Sequence, residues 1–200
     1  MSSFSVRVID HLAENGTINP DDKELYSYGL HQGILMIANL LTTMAIGIVF
    51  GMLWQSVIFM AAYMPLRSFA GGYHARTQLL CYIYSIILTI TVLSAIKYIP
   101  WTSLYCLITT IVACTVIMFL APIEDKNKPL DSVEVLVYKK RTTYILCVEI
   151  IMILVLLAFK LLQFSVSISV SLLALSVMLV LGKTSSIRHM SECSDNESSS

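Results

Sequence analysis

Residues 79–121 read LLCYIYSIILTITVLSAIKYIPWTSLYCLITTIVACTVIMFLA, and Lys97 is the one charged side chain among them. Two apolar runs, Leu79–Ile96 and Trp101–Ala121, flank the tight KYIPW turn, and each approaches the ~20 residues that a helix needs to cross a bilayer. Upstream lie a further span, Ile34–Phe50, and a shorter stretch from Met52 to Met64 that stops at Pro65. That stretch falls short of a full crossing, so it reads as a short span, a re-entrant segment or a span completed by the following loop. Downstream, the polar residues 122–143 carry five basic side chains and precede two more spans, Tyr144–Phe159 and Phe164–Leu181, joined by Lys160–Gln163. The expected fold is all-α: a polytopic membrane protein of about six transmembrane helices, the second short.

Composition agrees. Of 200 residues, 56% are hydrophobic and 13% charged, and the mean hydropathy is +0.77. A soluble domain of this size has no means of hiding so much apolar surface, whereas a lipid bilayer as partner removes the need. The formal net charge of +0 offers no electrostatic basis for nucleic-acid binding. Five cysteines, without a CxxC pair and with Cys106, Cys114 and Cys147 inside apolar segments, argue against a disulfide framework. His189 and Cys193 stand four apart without further ligands, so neither metal nor cofactor is expected.

At the N-terminus, residues 3–15 place Phe4, Val8, Ile9 and Leu12 on one face, which predicts an amphipathic helix on the membrane surface. Asn19, Pro20, Asp21 and Asp22 then form a helix start, with N-cap, N1 proline and first-turn acids. Charged residues interrupt 1–33, and no secretory signal is expected. A single membrane domain, 1–182, thus comprises lead-in helices (1–33) and a bundle (34–181), followed by a disordered tail, 183–200. Within Phe164–Leu172, serines alternate with apolar residues at a strand-like period. Helix is nevertheless expected, because a lone strand in hydrocarbon leaves its backbone unsatisfied.

If all six segments cross, Arg7, Lys23, Arg67, Arg76, Lys126, Lys128, Lys139, Lys140, Arg141, Lys183 and Arg188 share one side, against Lys97 and Lys160 on the other. The positive-inside rule then puts both termini and both polar loops in the cytoplasm.

Between the second and third segments the chain reads Arg67-Ser-Phe-Ala-Gly71-Gly72-Tyr-His74-Ala-Arg76-Thr77-Gln-Leu-Leu-Cys81. On one straight helix, His74 and Cys81 would be ~10.5 Å apart along the axis, too far for proton transfer. The glycine pair lets the chain turn first, Thr77 can cap the next helix, and His74 can fold back over Cys81. A cysteine beside a helix N-terminus and Arg76 favours its reactive thiolate form, and a neighbouring histidine supplies the base of a nucleophilic dyad. Spacing alone fits an unreactive His and Cys at a membrane boundary better than it fits chemistry.

Together, Arg67, Ala70-Gly71-Gly72-x-His74-Ala75 and Cys81 resemble the signature of the accessory gene regulator protein B (AgrB) family. Ala121-Pro122-x-x-x-x-Asn127-Lys128-Pro129-Leu130 is similar to that family's proline-bracketed loop, and length and hydropathy profile match over nearly the whole chain. The resemblance implies a membrane-embedded cysteine endopeptidase of a Gram-positive bacterium that matures a quorum-sensing propeptide, AgrD. It implies Cys81 as nucleophile and His74 as general base. The thioester left on Cys81 would be attacked by a side chain within the substrate, closing a thiolactone or lactone. Arg67, Arg76, Lys126 and Lys128 are candidates for binding an acidic substrate. Lys139-Lys140-Arg141 reads better as a topology signal. Gly71 and Gly72 supply either backbone N–H groups for an oxyanion or only the turn. Glu124 or Asp125 could orient His74.

A small transporter or channel is the alternative, because six helices and the intramembrane Glu149 would serve it. Loss of function on Cys81→Ser favours the enzyme; sensitivity to Glu149→Gln with tolerance of the serine favours the transporter. Gly47 and Gly51, spaced as GxxxG on the first span, also suggest a homodimer.

Overall fold

A computed structural model describes residues 23–71, 78–122 and 132–197. All the described secondary structure is helical: α1 (Lys23–Phe50), α2 (Leu53–Ala70), α3 (Gln78–Tyr98), α4 (Ser103–Leu120), α5 (Ser132–Ala158) and α6 (Leu162–Glu197). Among the described residues, four stretches are long and apolar enough to cross a membrane: Gly33–Phe50, Ser103–Leu120, Glu134–Ala158 and Leu162–Thr184. A shorter apolar helix covers Tyr82–Tyr98. The amphipathic segment 3–15 and the start at Asn19–Asp22 lie outside the described residues. From Lys23 the lead-in continues unbroken into the first span, as the sequence predicts.

The outside of the bundle is apolar. Val49 is 83% and Phe119 82% exposed, amid a large set of bare Ile, Leu and Val side chains. Such a surface would aggregate in water but is the normal boundary with lipid tails.

At the centre stands α6. Of Leu162–Thr184, 67% is buried, against 11% of Gly33–Phe50, and α6 packs against α2, α3, α4 and α5. Every residue from Ser165 to Leu172 is buried. The serine alternation therefore belongs to a helix enclosed on all sides. Small side chains let neighbouring backbones approach, and their hydroxyls bond within the helix or across to a neighbour. Ser167 Oγ donates to Gln163 O at 2.9 Å. Ser169 Oγ donates to Cys106 O on α4 at 3.1 Å and accepts from Thr110 Oγ1 at 3.0 Å. Phe59, Leu66, Leu93, Ile117, Ile153, Leu172 and Leu175 complete the core.

Two turns follow one design. Gly51 N–H bonds to Ile48 O and Met52 N–H to Gly47 O, the paired C-terminal bonds of a Schellman cap, with Gly51 at φ +70°. Lys160 N–H to Leu157 O and Leu161 N–H to Leu156 O repeat it, with Lys160 at φ +60°. A side chain in that conformation costs about 1 kcal/mol. Lys160→Gly should therefore raise the apparent Tm of the purified protein, read by thermal unfolding in detergent. Gly47 is buried, and a Cβ there would lie 2.8 Å from Ser56 Cβ. Gly47 of the GxxxG spacing thus makes a close approach within the chain, between α1 and α2, whereas Gly51 is exposed at the turn.

Three boundaries differ from expectation. The second segment does not end at Pro65: α2 carries the proline inside and runs to Ala70. Pro65 is exposed, whereas Leu66 and Ala70 beyond it are buried, so bundle packing outweighs the missing N–H. Residues 132–143, read as loop, form the start of α5, with Glu134 in the first turn favouring the helix N-terminus. The last helix continues past Gly182 to Glu197, where a disordered tail was expected.

Candidate functional site

The motif begins on α2. Arg67 is half-buried in its last turn, Nη1 donating to Tyr63 OH at 3.2 Å while the guanidinium lies 5.8 Å from the Tyr63 ring centroid. One turn apart on the helix, the two side chains meet by simple periodicity. Tyr63 in turn stacks on Phe59, with ring centroids 5.4 Å apart. Arg67 is thus tied into the wall of the bundle at the point where the helix is about to end.

Gly71 ends it. Its N–H caps Arg67 O at 3.1 Å, and its backbone, φ +78° and ψ −151°, occupies a region that essentially only glycine enters. Gly71 therefore serves the turn that launches the loop. A Gly71→Ala substitution should cost about 1–3 kcal/mol locally, read as a lower apparent Tm of the purified protein in detergent.

Downstream, α3 begins at Gln78, so Cys81 is the fourth residue of a 21-residue helix. His74, Gly72 and Arg76 lie outside the described residues, as do Lys126, Lys128, Glu124 and Asp125. Of Cys81, the helical backbone is described.

The second polar segment comes to the same end of the bundle. Phe69 meets Tyr138 of α5 with ring centroids 6.1 Å apart, and Arg141 places its guanidinium 5.2 Å from the Phe69 ring centroid. From sequence, Arg141 reads as part of a topology signal. Its contact lies two residues before Gly71. The available clue was the i, i+3 spacing of Tyr138 and Arg141, which gives them one helix face. Cation–π contacts at exposed sites are worth about 0.5–1 kcal/mol, enough to bias the pairing of α2 with α5.

The opposite end holds the turns. There Lys97 Nζ donates to Phe50 O at 3.1 Å, and Gln55 Nε2 to Gln163 Oε1 at 2.9 Å. A groove beside this glutamine pair, bordered by Trp54 and Phe164, presents no nucleophile or titratable side chain. Among the described residues, no group of three or more His, Cys, Asp or Glu side chains could hold a metal ion. Cys106 and Cys114 sit within α4 and Cys147 within α5, away from the motif.

These features define a helical, multi-pass membrane protein whose sequence motif runs from the end of α2 into α3. The family model for accessory gene regulator B matches residues 5–180, and the chain belongs to that family. Two proteins of Clostridium perfringens, both named for their likeness to AgrB, are similar to it: one from strain SM101 at 25% identity and one from strain 13 at 21%. Each aligns over 139 residues, 66% of this chain and 65% of the relative. The chain thus spans slightly less than two thirds of these relatives' length. No solved structure matches it.

Proposed function

We propose that this protein is a membrane-embedded cysteine endopeptidase that matures an AgrD-like quorum-sensing propeptide. Cys81 attacks the peptide carbonyl between the signal sequence and its C-terminal extension. His74 takes the thiol proton and returns it to the leaving amine, so the extension departs and a thioester remains on Cys81. A cysteine or serine side chain inside the bound fragment then attacks that thioester, closing the ring and releasing Cys81. Thioester exchange is nearly isoenergetic, so activation survives provided water is kept from the acyl-enzyme. Arg67, Arg76, Lys126 and Lys128 bind the acidic part of the substrate.

The observation that carries this reading is the match over residues 5–180, which includes the whole motif from Arg67 to Cys81. The start of α3 at Gln78, close before Cys81, supports it chemically. The eleven-to-two distribution of Lys and Arg supports loops and termini on the cytoplasmic side, where a newly made propeptide would be met. Purified protein in bilayers, incubated with a candidate propeptide and read by mass spectrometry, tests the chemistry. The expected product is one water lighter than the linear fragment. Release of linear fragment alone would refute the cyclising step, and an intact propeptide would refute the endopeptidase.

A further inference from the structure

Along α5, the residues Thr142, Leu146, Glu149 and Ile153 are all buried, at 2%, 3%, 5% and 1% exposure. Their spacing of four, three and four makes one stripe, which faces the interior where α5 packs on α2, α4 and α6, with Glu149 near Cys114 of α4. Two members are polar, and both have unused bonding capacity: Thr142 Oγ1 and Glu149 Oε2 have no hydrogen-bond partner within the protein. Other buried hydroxyls do not share this state. Thr110, Ser165, Ser169, Ser171 and Ser176 are each bonded to a backbone carbonyl. An unpaired carboxyl oxygen in an apolar interior is costly, and a leucine there would remove the cost.

We infer that Thr142 and Glu149 form an intramembrane subsite that hydrogen-bonds the backbone of the peptide substrate. Two observations and one physical requirement point to a peptide. The stripe begins one residue after Arg141, which lies over Phe69 two residues before the loop-launching Gly71. It therefore leads from the motif end into the bundle. The two polar groups stand seven residues apart, ~10.5 Å along the helix, which is about the span of three extended residues. An extended peptide among helices brings N–H and C=O groups that must be paired in an apolar medium, and these are the side chains of α5 with capacity to spare. The assignment rests on the endopeptidase reading for the identity of its occupant.

The test measures propeptide affinity in nanodiscs, in a Cys81→Ala background, together with thermal stability. Glu149→Leu should weaken binding about 10-fold or more, the fold-change of one lost buried hydrogen bond to a charged or strongly polar partner, while the apparent Tm stays level or rises. Glu149→Gln, which keeps both an acceptor and a donor, should bind within about 3-fold of the parent, and Thr142→Val should weaken binding by about 3–10-fold. Glu149→Leu protein that binds as tightly as its parent overturns the subsite. So does weaker binding with a lower Tm that Glu149→Gln shares, which would mark a structural role. Processing that persists in Cys81→Ala would instead refute the catalytic reading, and the affinity comparison would still decide the subsite.

Discussion

Cys81→Ala should abolish formation of the proposed cyclic product when this protein is co-expressed with an AgrD-like propeptide, lowering the rate by roughly 10⁴-fold or more. The size of the effect follows from covalent catalysis. Without the thiol no acyl-enzyme forms, and ring closure has no activated carbonyl to draw on. His74→Ala leaves the nucleophile without its base, and should cost about 10²–10⁴-fold. Cys81 lies on the fourth described residue of α3. A serine there is a poor replacement, because the alkoxide is far less accessible than a thiolate at neutral pH. Mass spectrometry of the medium and of the membrane fraction, wild type beside each variant, reads the result. Unchanged product from the Cys81→Ala strain would remove the nucleophile from the mechanism and restore the transporter reading, for which Glu149→Gln should then be the damaging change.

The second large effect concerns folding. Ser169 is fully buried on the central helix, with its hydroxyl donating to Cys106 O and accepting from Thr110. Ser169→Leu adds two heavy atoms where α6 touches α4, and Cys106 and Ala113 across that contact are also fully buried. Overpacking of a closed interior costs about 1–3 kcal/mol or more, because either side chains leave their rotamers or the helices move apart. Most of the protein should then fail to reach a monodisperse folded state, seen as aggregation in size-exclusion profiles of the detergent extract. Ser169→Ala should be mild, about 0.6 kcal/mol, since interhelical hydrogen bonds in membranes are individually weak. A well-behaved Ser169→Leu protein would show that α4 and α6 do not meet there.

The helices were legible because lipid leaves the backbone one economical way to satisfy itself, and about 20 apolar residues announce a crossing. The second segment was the least legible. Pro65 signals a stop, and nothing local reveals that Leu66 and Ala70 will be buried by other helices. The start of α5 hid for the opposite reason: residues 132–143 are polar, and a polar helical extension carries no hydropathy signal. For the site, the motif from Arg67 to Cys81 could be named from the chain alone through its resemblance, together with residues 121–130, to the AgrB signature; spacing by itself favoured an unreactive pair. Arg141 could not, since a basic side chain in a run of three looks like a topology signal until Phe69 is seen beneath it.

Fold class, membrane residence and the candidate nucleophile and base were therefore determined by sequence, through properties that are local or summed along the chain: hydropathy, charge and motif. Tertiary structure alone decided which helix is central, which glycine packs on which serine, and that Thr142 and Glu149 share a buried stripe without partners. Those are pair properties. They depend on what stands across each interface, and a one-dimensional pattern records the face a residue occupies but not its neighbour.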